Sequence, residues 1–129
     1  MGFVKFNLNP CGLEVDDCVI RAIAASEHIS WREAYIRIVA TGLELCDKPD
    51  SNKVWSRFLY SIGYIGVPIL NSFKNNYTIR QFCQDNPNLE GILATGTHVV
   101  YFSKGNYYDT WDCGNKIPIY FFMKGDTHE

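Results

Sequence analysis

The sequence predicts an α+β domain in which helices come first along the chain and an antiparallel sheet follows. Three observations support this prediction. Apolar residues recur at helical spacing up to residue 63, short β-rich runs begin at residue 64, and two of those runs flank a Lys104-Gly105 turn. With 129 residues, 47% of them hydrophobic, we expect a single domain, residues 1–129, whose core is large enough to enclose a pocket.

The first predicted helix follows Asp16 and Asp17, two acidic residues that suit the positive end of a helix dipole. Nearly every position from Val19 to Ala25 is apolar. An apolar run that continues around the whole helix is typical of a buried one. We therefore expect this helix at the centre of the domain.

Two further helices are predicted before the sheet. Ser30 and Glu33 have the spacing of a capping box, so a second helix begins there, and Thr41-Gly42 is its expected end. A turn-rich segment, CDKPDSN, separates it from a third helix, which apolar spacing places at 54–63.

The second half of the chain has the pattern of strands. We expect an extended segment at 64–70, a short helix capped by Thr78, a strand within 89–96, a hairpin at 97–112 and a final strand within 116–124. The helices thus precede most of the sheet, which is the usual arrangement in α+β domains.

Charge and the length of the apolar runs argue against two classes of partner. The net charge is −2, and lysines and arginines are scattered, so we expect no nucleic-acid partner. No apolar run approaches the roughly 18 residues that span a bilayer, so we expect no membrane partner. Residues 1–10 lack the features of a secretory signal, which predicts a cytoplasmic location.

The five cysteines, an odd number, favour reduced thiols over a disulfide framework. They are Cys11, Cys18, Cys46, Cys83 and Cys113. No CxxC pair and no closely spaced histidine pair occurs, so the spacing of a structural zinc site is absent. We therefore expect neither a metal nor another cofactor.

Cys18 is the candidate nucleophile because it stands where a loop enters the buried helix, and a helix N-terminus stabilises a thiolate. An isolated cysteine in an apolar helix is also a common core residue. Among the histidines, His98 is the candidate base, since it opens a strand after the Gly96 turn.

The hairpin register selects the acid that faces His98. If Lys104-Gly105 is a two-residue turn, His98 lies opposite Trp111 and on the same face as Asp109, its diagonal neighbour. A three-residue loop would shift the register by one and bring Asp112 to that face instead. The two-residue turn is the commoner, so Asp109 is expected and Asp112 is the alternative.

A helix-start cysteine, a strand-start histidine and an aspartate on the next strand have the chain order of nucleophile, base and orienting acid in thiol hydrolases. The segments DDCVIRAIAAS, SWREAY and GTHVVYFSKGNYYDTWDCG resemble those of small papain-like cysteine peptidases of bacteria and phages. The resemblance extends from Asn9-Pro10 to Ile117. It implies a papain-like fold, with Cys18 at the start of a buried central helix.

The resemblance also implies the roles of individual residues. Cys18 matches the nucleophile and His98 the base, while the run Asp109-Thr110-Trp111 is similar to the Asn-Ser-Trp run that carries the orienting residue. Papain-like enzymes usually have a Gln several residues before the cysteine, but Gly12 stands six residues before Cys18. Asn9 is therefore the candidate oxyanion donor, together with the backbone N–H of Cys18.

The first functional hypothesis is a thiol hydrolase that acts on an amide, isopeptide or thioester of a protein or peptide substrate. The second is a non-catalytic protein-binding or inhibitory module on the same fold, encoded by a phage, with aromatic residues such as Tyr107 on its binding face. If the chain is phage-encoded, its location is the host cytoplasm.

A third hypothesis comes from residues 17–22, DCVIRA, which resemble the run around the nucleophile of ovarian-tumour-type deubiquitinases. Those domains are generally larger. Because 129 residues leave little material for a ubiquitin-binding surface, we rank a deubiquitinating role below a general peptidase or amidase.

Overall fold

A computed structural model describes residues 2–70 and 74–125. Four helices pack on one six-stranded sheet, which confirms the predicted α+β class. The elements in chain order are β1 (Gly2–Lys5), α1 (Cys18–Glu27), α2 (Trp31–Leu45), α3 (Asn52–Ser61), β2 (Tyr64–Pro68), α4 (Ile79–Asp85), β3 (Glu90–Ala94), β4 (Val99–Ser103), β5 (Asn106–Asp109) and β6 (Tyr120–Lys124).

The sheet has the strand order β1-β5-β4-β3-β6-β2. β1 runs parallel to β5, whereas the other neighbouring strands are antiparallel. The expectation of a purely antiparallel, C-terminal sheet was therefore wrong, because the N-terminal strand Gly2–Lys5 adds a parallel edge. A four-residue strand is too short to show a clear alternating pattern in sequence.

α1 is the central helix, as its apolar run predicts. It packs against β3 and β4 on one side and α2 on the other. Its buried residues are Val19, Arg21, Ala22, Ile23 and Ala24. The helix begins at Cys18, which lies at the edge of the core and lines a cleft together with Val99, the first residue of β4.

α2 begins as predicted, with Ser30 Oγ accepting a hydrogen bond of 3.0 Å from the N–H of Glu33. It continues to Leu45, past the expected end at Gly42. Gly42 is buried, and a Cβ there would lie 3.0 Å from the carbonyl oxygen of Asp47 and 3.3 Å from the Cα of Pro49. Glycine at this position thus permits close approach of the following loop and does not end the helix.

The sheet separates two apolar layers. On one face, α1, α2 and α3 pack over sheet residues such as Ile92 and Val99. On the other face, α4 packs over sheet residues such as Val100 and Phe102. Within the described ranges, no helix has the length and apolar character needed to cross a membrane.

The hairpin between β4 and β5 has the predicted two-residue turn. Lys104 and Gly105 both have positive φ angles, 53° and 82°, which is the conformation of a type I′ turn. Ser103 pairs with Asn106, so the register that places Asp109 diagonally from His98 is confirmed.

Candidate functional site

His98 and Asp109 are joined directly. The distance from His98 Nε2 to Asp109 Oδ2 is 2.6 Å, and the Asp109 side chain is 1% exposed. Because Nε2 is engaged by the carboxylate, Nδ1 is the ring nitrogen that remains for another partner.

His98 is positioned by its backbone and by its ring. A turn at 95–98 holds the backbone, since the N–H of Thr95 donates to the carbonyl of His98 at 2.9 Å and the N–H of His98 donates to Thr95 Oγ1 at 3.1 Å. The ring lies against Trp111, with centroids 4.9 Å apart. The predicted cross-strand neighbour therefore covers the imidazole and limits its contact with water.

Asp109 is also bound by a residue of the central helix. Arg21 Nη1 donates to Asp109 Oδ1 at 2.9 Å, and Arg21 Nε donates to Asp17 Oδ1 at 2.7 Å. Asp17 in turn accepts from Trp31 Nε1 at 2.9 Å. A buried network thus connects the residue before Cys18 to the acid that faces His98.

This network changes the ionisation of its members. Burial by itself would lower the pKa of His98, but the hydrogen bond with Asp109, the thiols of Cys113 and Cys18 and the charge of Asp109 raise it to about 11. Burial would raise the pKa of Asp109, but His98 and Arg21 hold it below its usual range. At neutral pH the pair is therefore an imidazolium and a carboxylate.

Cys18 lines an open cleft next to the turn that carries His98. Thr97 and Val99, the residues on either side of His98, line the same cleft. The cleft has a volume of about 300 Å³ and is lined by Cys18, by Asp16 and Asp50, and by the 96–97 turn. Cys18 is thus accessible to a ligand that enters the cleft.

Cys113 is a second thiol beside His98, and the sequence did not single it out as a site residue. It is 1% exposed, and burial raises the pKa of its thiol. A buried neutral thiol is a poor nucleophile. Cys18, which lines the cleft, is therefore the better candidate of the two.

Among the residues that the structure describes, His98, Asp109 and Cys113 form a group that could hold a metal ion, since one ligand atom from each lies within 4.8 Å of the others. Both carboxylate oxygens of Asp109 are already engaged, one by His98 and the other by the positive guanidinium of Arg21. A divalent cation would have to compete with both. The arrangement favours the ion pair over a metal centre.

Asp112, the alternative acid, lies in a different network. Its carboxylate accepts from the Tyr107 hydroxyl at 2.5 Å and from the N–H of Gly114 at 3.0 Å, and it pairs with Arg80 at 3.3 Å. The acid that faces His98 is thus Asp109.

Asn9, the candidate oxyanion donor, is 8% exposed and is anchored beside the start of α1. Its Nδ2 donates to Asp17 Oδ2 at 3.2 Å, while its Oδ1 accepts from the N–H of Cys11 at 2.9 Å. An amide nitrogen carries two hydrogens, so one remains for a ligand. The role of Asn9 stays a prediction.

Tyr107 was wrongly expected on an exposed aromatic face. It is 0% exposed, and its ring belongs to the core layer under α4. The reason is the alternation of β5, which turns Tyr107 toward the same buried layer as Phe102, its partner on β4.

Arg21 is the site residue that sequence reasoning missed most clearly. It is the one charged side chain in the otherwise apolar run 19–25, and it stands four residues after Asp17, the spacing of a helical ion pair. These two signals together indicate a buried charge that needs partners.

Comparison of the chain with protein-family models, with curated proteins and with solved structures finds no match.

Proposed function

We propose that this chain is a papain-like thiol hydrolase that cleaves an amide, isopeptide or thioester bond of a protein or peptide substrate. Cys18 is the nucleophile, His98 transfers the proton and Asp109 orients the imidazole. The single observation that carries the proposal is the 2.6 Å contact between His98 Nε2 and Asp109. Cys18 lines the same cleft as Thr97 and Val99, the residues on either side of His98.

In the first step the sulfur of Cys18, its proton having passed to His98 Nδ1, attacks the carbonyl carbon of the substrate. The imidazolium then gives this proton to the departing amine or thiolate as the bond to the leaving group breaks, which forms an acyl thioester on Cys18. The charge of Asp109 favours the imidazolium throughout, because the two groups form a buried ion pair.

The negative oxygen that develops during attack needs hydrogen-bond donors. The N–H of Cys18 belongs to the first turn of α1, where backbone N–H groups have no carbonyl partner one turn earlier. The free hydrogen of Asn9 Nδ2 is the proposed second donor. Removal of one such donor costs roughly 3 to 4 kcal/mol of transition-state stabilisation in studied enzymes.

In the second step a water molecule attacks the thioester carbon. His98 accepts a proton from this water, the bond to sulfur breaks, and the proton returns to sulfur as the carboxylic acid product leaves. The chemistry uses no cofactor. The five free cysteines support a reducing compartment such as the cytoplasm as the place of action.

Alkylation of the native protein with iodoacetamide near pH 6, resolved by mass spectrometry for each cysteine, tests the proposal. We expect Cys18 to react fastest, and His98→Ala to abolish the fast reaction while Cys46→Ala and Cys83→Ala preserve it. Circular dichroism of each variant verifies folding. If Cys18 reacts no faster than the exposed Cys11 and Cys46, the chain is not a thiol hydrolase.

A non-catalytic binding module is the second candidate, and one observation favours it. Helix α2 exposes large apolar side chains, including Ile36 at 63% and Leu43 at 80%. Ile36 and Leu43 are seven residues apart, so they lie on the same face of α2. Apolar side chains exposed together on one face are typical of a protein contact surface. If the chain is a binding module, we expect all five thiols to react slowly with iodoacetamide while circular dichroism shows an intact fold.

A further inference from the structure

A small apolar cavity adjoins the cleft beside Cys18. Its walls come from α1 and α2 and from the loop between α2 and α3, and apart from Asp50 its lining residues are apolar or aromatic. Val19 and Asp50 line both this cavity and the cleft, so the two spaces are neighbours. An apolar space therefore lies next to the cleft that contains Cys18.

The size of this cavity restricts what it can hold. Its volume is about 70 Å³. A cavity of roughly 150 Å³ accommodates a benzene ring. At half that volume, the cavity has room for an aliphatic group of about three carbons and excludes an aromatic ring.

The charge of the cleft gives a second restriction. Asp16 and Asp50 line it, and among the described residues neither a lysine nor an arginine does. In the part of the chain that the structure describes, these two carboxylates form no ion pair. Such a cleft attracts a positively charged group and repels a negative one.

We propose that the apolar cavity is a substrate subsite for a small aliphatic side chain, and that Asp16 and Asp50 select a basic residue beside it. The substrate is then a peptide segment in which a residue such as valine or alanine adjoins a lysine or arginine near the scissile carbonyl. This inference rests on the proposed function, because it needs Cys18 as the reacting group.

The test measures how peptides protect Cys18 from iodoacetamide. The probes are capped tetrapeptides that contain valine next to lysine in either order, with matched peptides in which phenylalanine replaces valine or glutamate replaces lysine. We expect a valine–lysine peptide to bind about tenfold more tightly than the phenylalanine peptide, since a side chain that does not fit an apolar pocket lowers the affinity roughly 10-fold or more. The glutamate peptide should bind about fivefold more weakly, a smaller effect because the carboxylates are exposed.

Two pairs of variants assign the effects to the subsite. Val39→Trp fills the cavity and should remove the preference for valine over phenylalanine, whereas Leu43→Trp, one turn later on α2 and outside the cavity, should keep it. Asp50→Asn should reduce the preference for lysine over glutamate, and Glu44→Gln, an exposed acid outside both spaces, should keep it.

Equal protection by all peptides, or preferences that survive Val39→Trp and Asp50→Asn, would overturn the subsite. This outcome is distinct from failure of the proposed function. Protection is measured on Cys18 whatever its intrinsic rate, whereas the proposed function depends on a fast, His98-dependent reaction in the absence of peptide.

Discussion

Arg21 and Asp109 form a buried ion pair between the central helix and the last strand of the hairpin, with Nη1 2.9 Å from Oδ1. The Arg21 side chain is 10% exposed and that of Asp109 is 1% exposed. Since Arg21 also binds Asp17, the start of α1 and the acid that faces His98 are held together. A helix and a strand 88 residues apart in sequence thereby fix the geometry of one site.

Replacement of Arg21 by methionine should destabilise the fold by about 3 to 5 kcal/mol, because it removes the cation that pairs with Asp17 and one of the two positive partners of Asp109, both of which are buried. Urea unfolding measures the loss. Arg37→Met is the matched control, since Arg37 and Glu33 form an ion pair of the same i, i+4 spacing at an exposed position, worth about 1 kcal/mol or less. Similar losses in both variants would show that the buried network carries no special stability.

Substitutions of the two aspartates should differ in their effect on turnover. Asp109→Asn removes the charge that favours the His98 imidazolium and should lower hydrolysis of a small activated thioester by about 100-fold or more. Asp112→Asn should leave turnover within about threefold, since Asp112 contacts Tyr107 and Arg80 instead. Loss of activity in Asp112→Asn with survival in Asp109→Asn would contradict the assignment of the orienting acid.

Asp109→Ala should also lower stability, by about 3 to 5 kcal/mol, because it deprives both Arg21 and His98 of a buried partner. Asp112→Ala should cost about 1 kcal/mol, since Asp112 is partly exposed and caps the N–H of Gly114. Chemical denaturation of the two variants beside the wild type gives both values. Equal losses of unfolding free energy in the two variants would mean that the contacts of Asp109 with Arg21 and His98 add no stability.

The stability supplied by His98 should depend on pH in a defined direction. Its pKa is raised in the folded state to about 11, so the ion pair with Asp109 contributes fully below the unfolded pKa near 6.5 and is lost as the pH rises through 11. The difference in unfolding free energy between wild type and His98→Gln should therefore be largest at pH 6 and decrease by pH 9.

Thermal or urea unfolding at several pH values measures this difference. His28→Gln is the control, since the His28 side chain is 75% exposed and lies 3.5 Å from Glu90. Because this pair is exposed, it adds little to stability, and we expect the difference between His28→Gln and wild type to stay small. A His98→Gln difference that grows from pH 6 to pH 9 would show that His98 is neutral in the folded protein.

Local chemistry was enough to predict several elements and the central pair of the site. The apolar run after Asp17 identified a buried helix, and Ser30 and Thr78 marked helix starts that the structure confirms through their side-chain caps. The type I′ turn at Lys104-Gly105 fixed the hairpin register, and with it the contact between His98 and Asp109. These features depend on residues close together along the chain or across one tight turn.

Only the tertiary structure decided which distant groups meet. No local pattern in the sequence predicts the parallel pairing of β1 with β5 or the ion pair between Arg21 and Asp109. The same is true of the burial of Tyr107 and of the position of the Cys113 thiol near His98. Arg21 shows the physical reason. A charged residue within an apolar helix indicates that a buried partner is needed, but the packing of the helix on the sheet determines which residue is that partner.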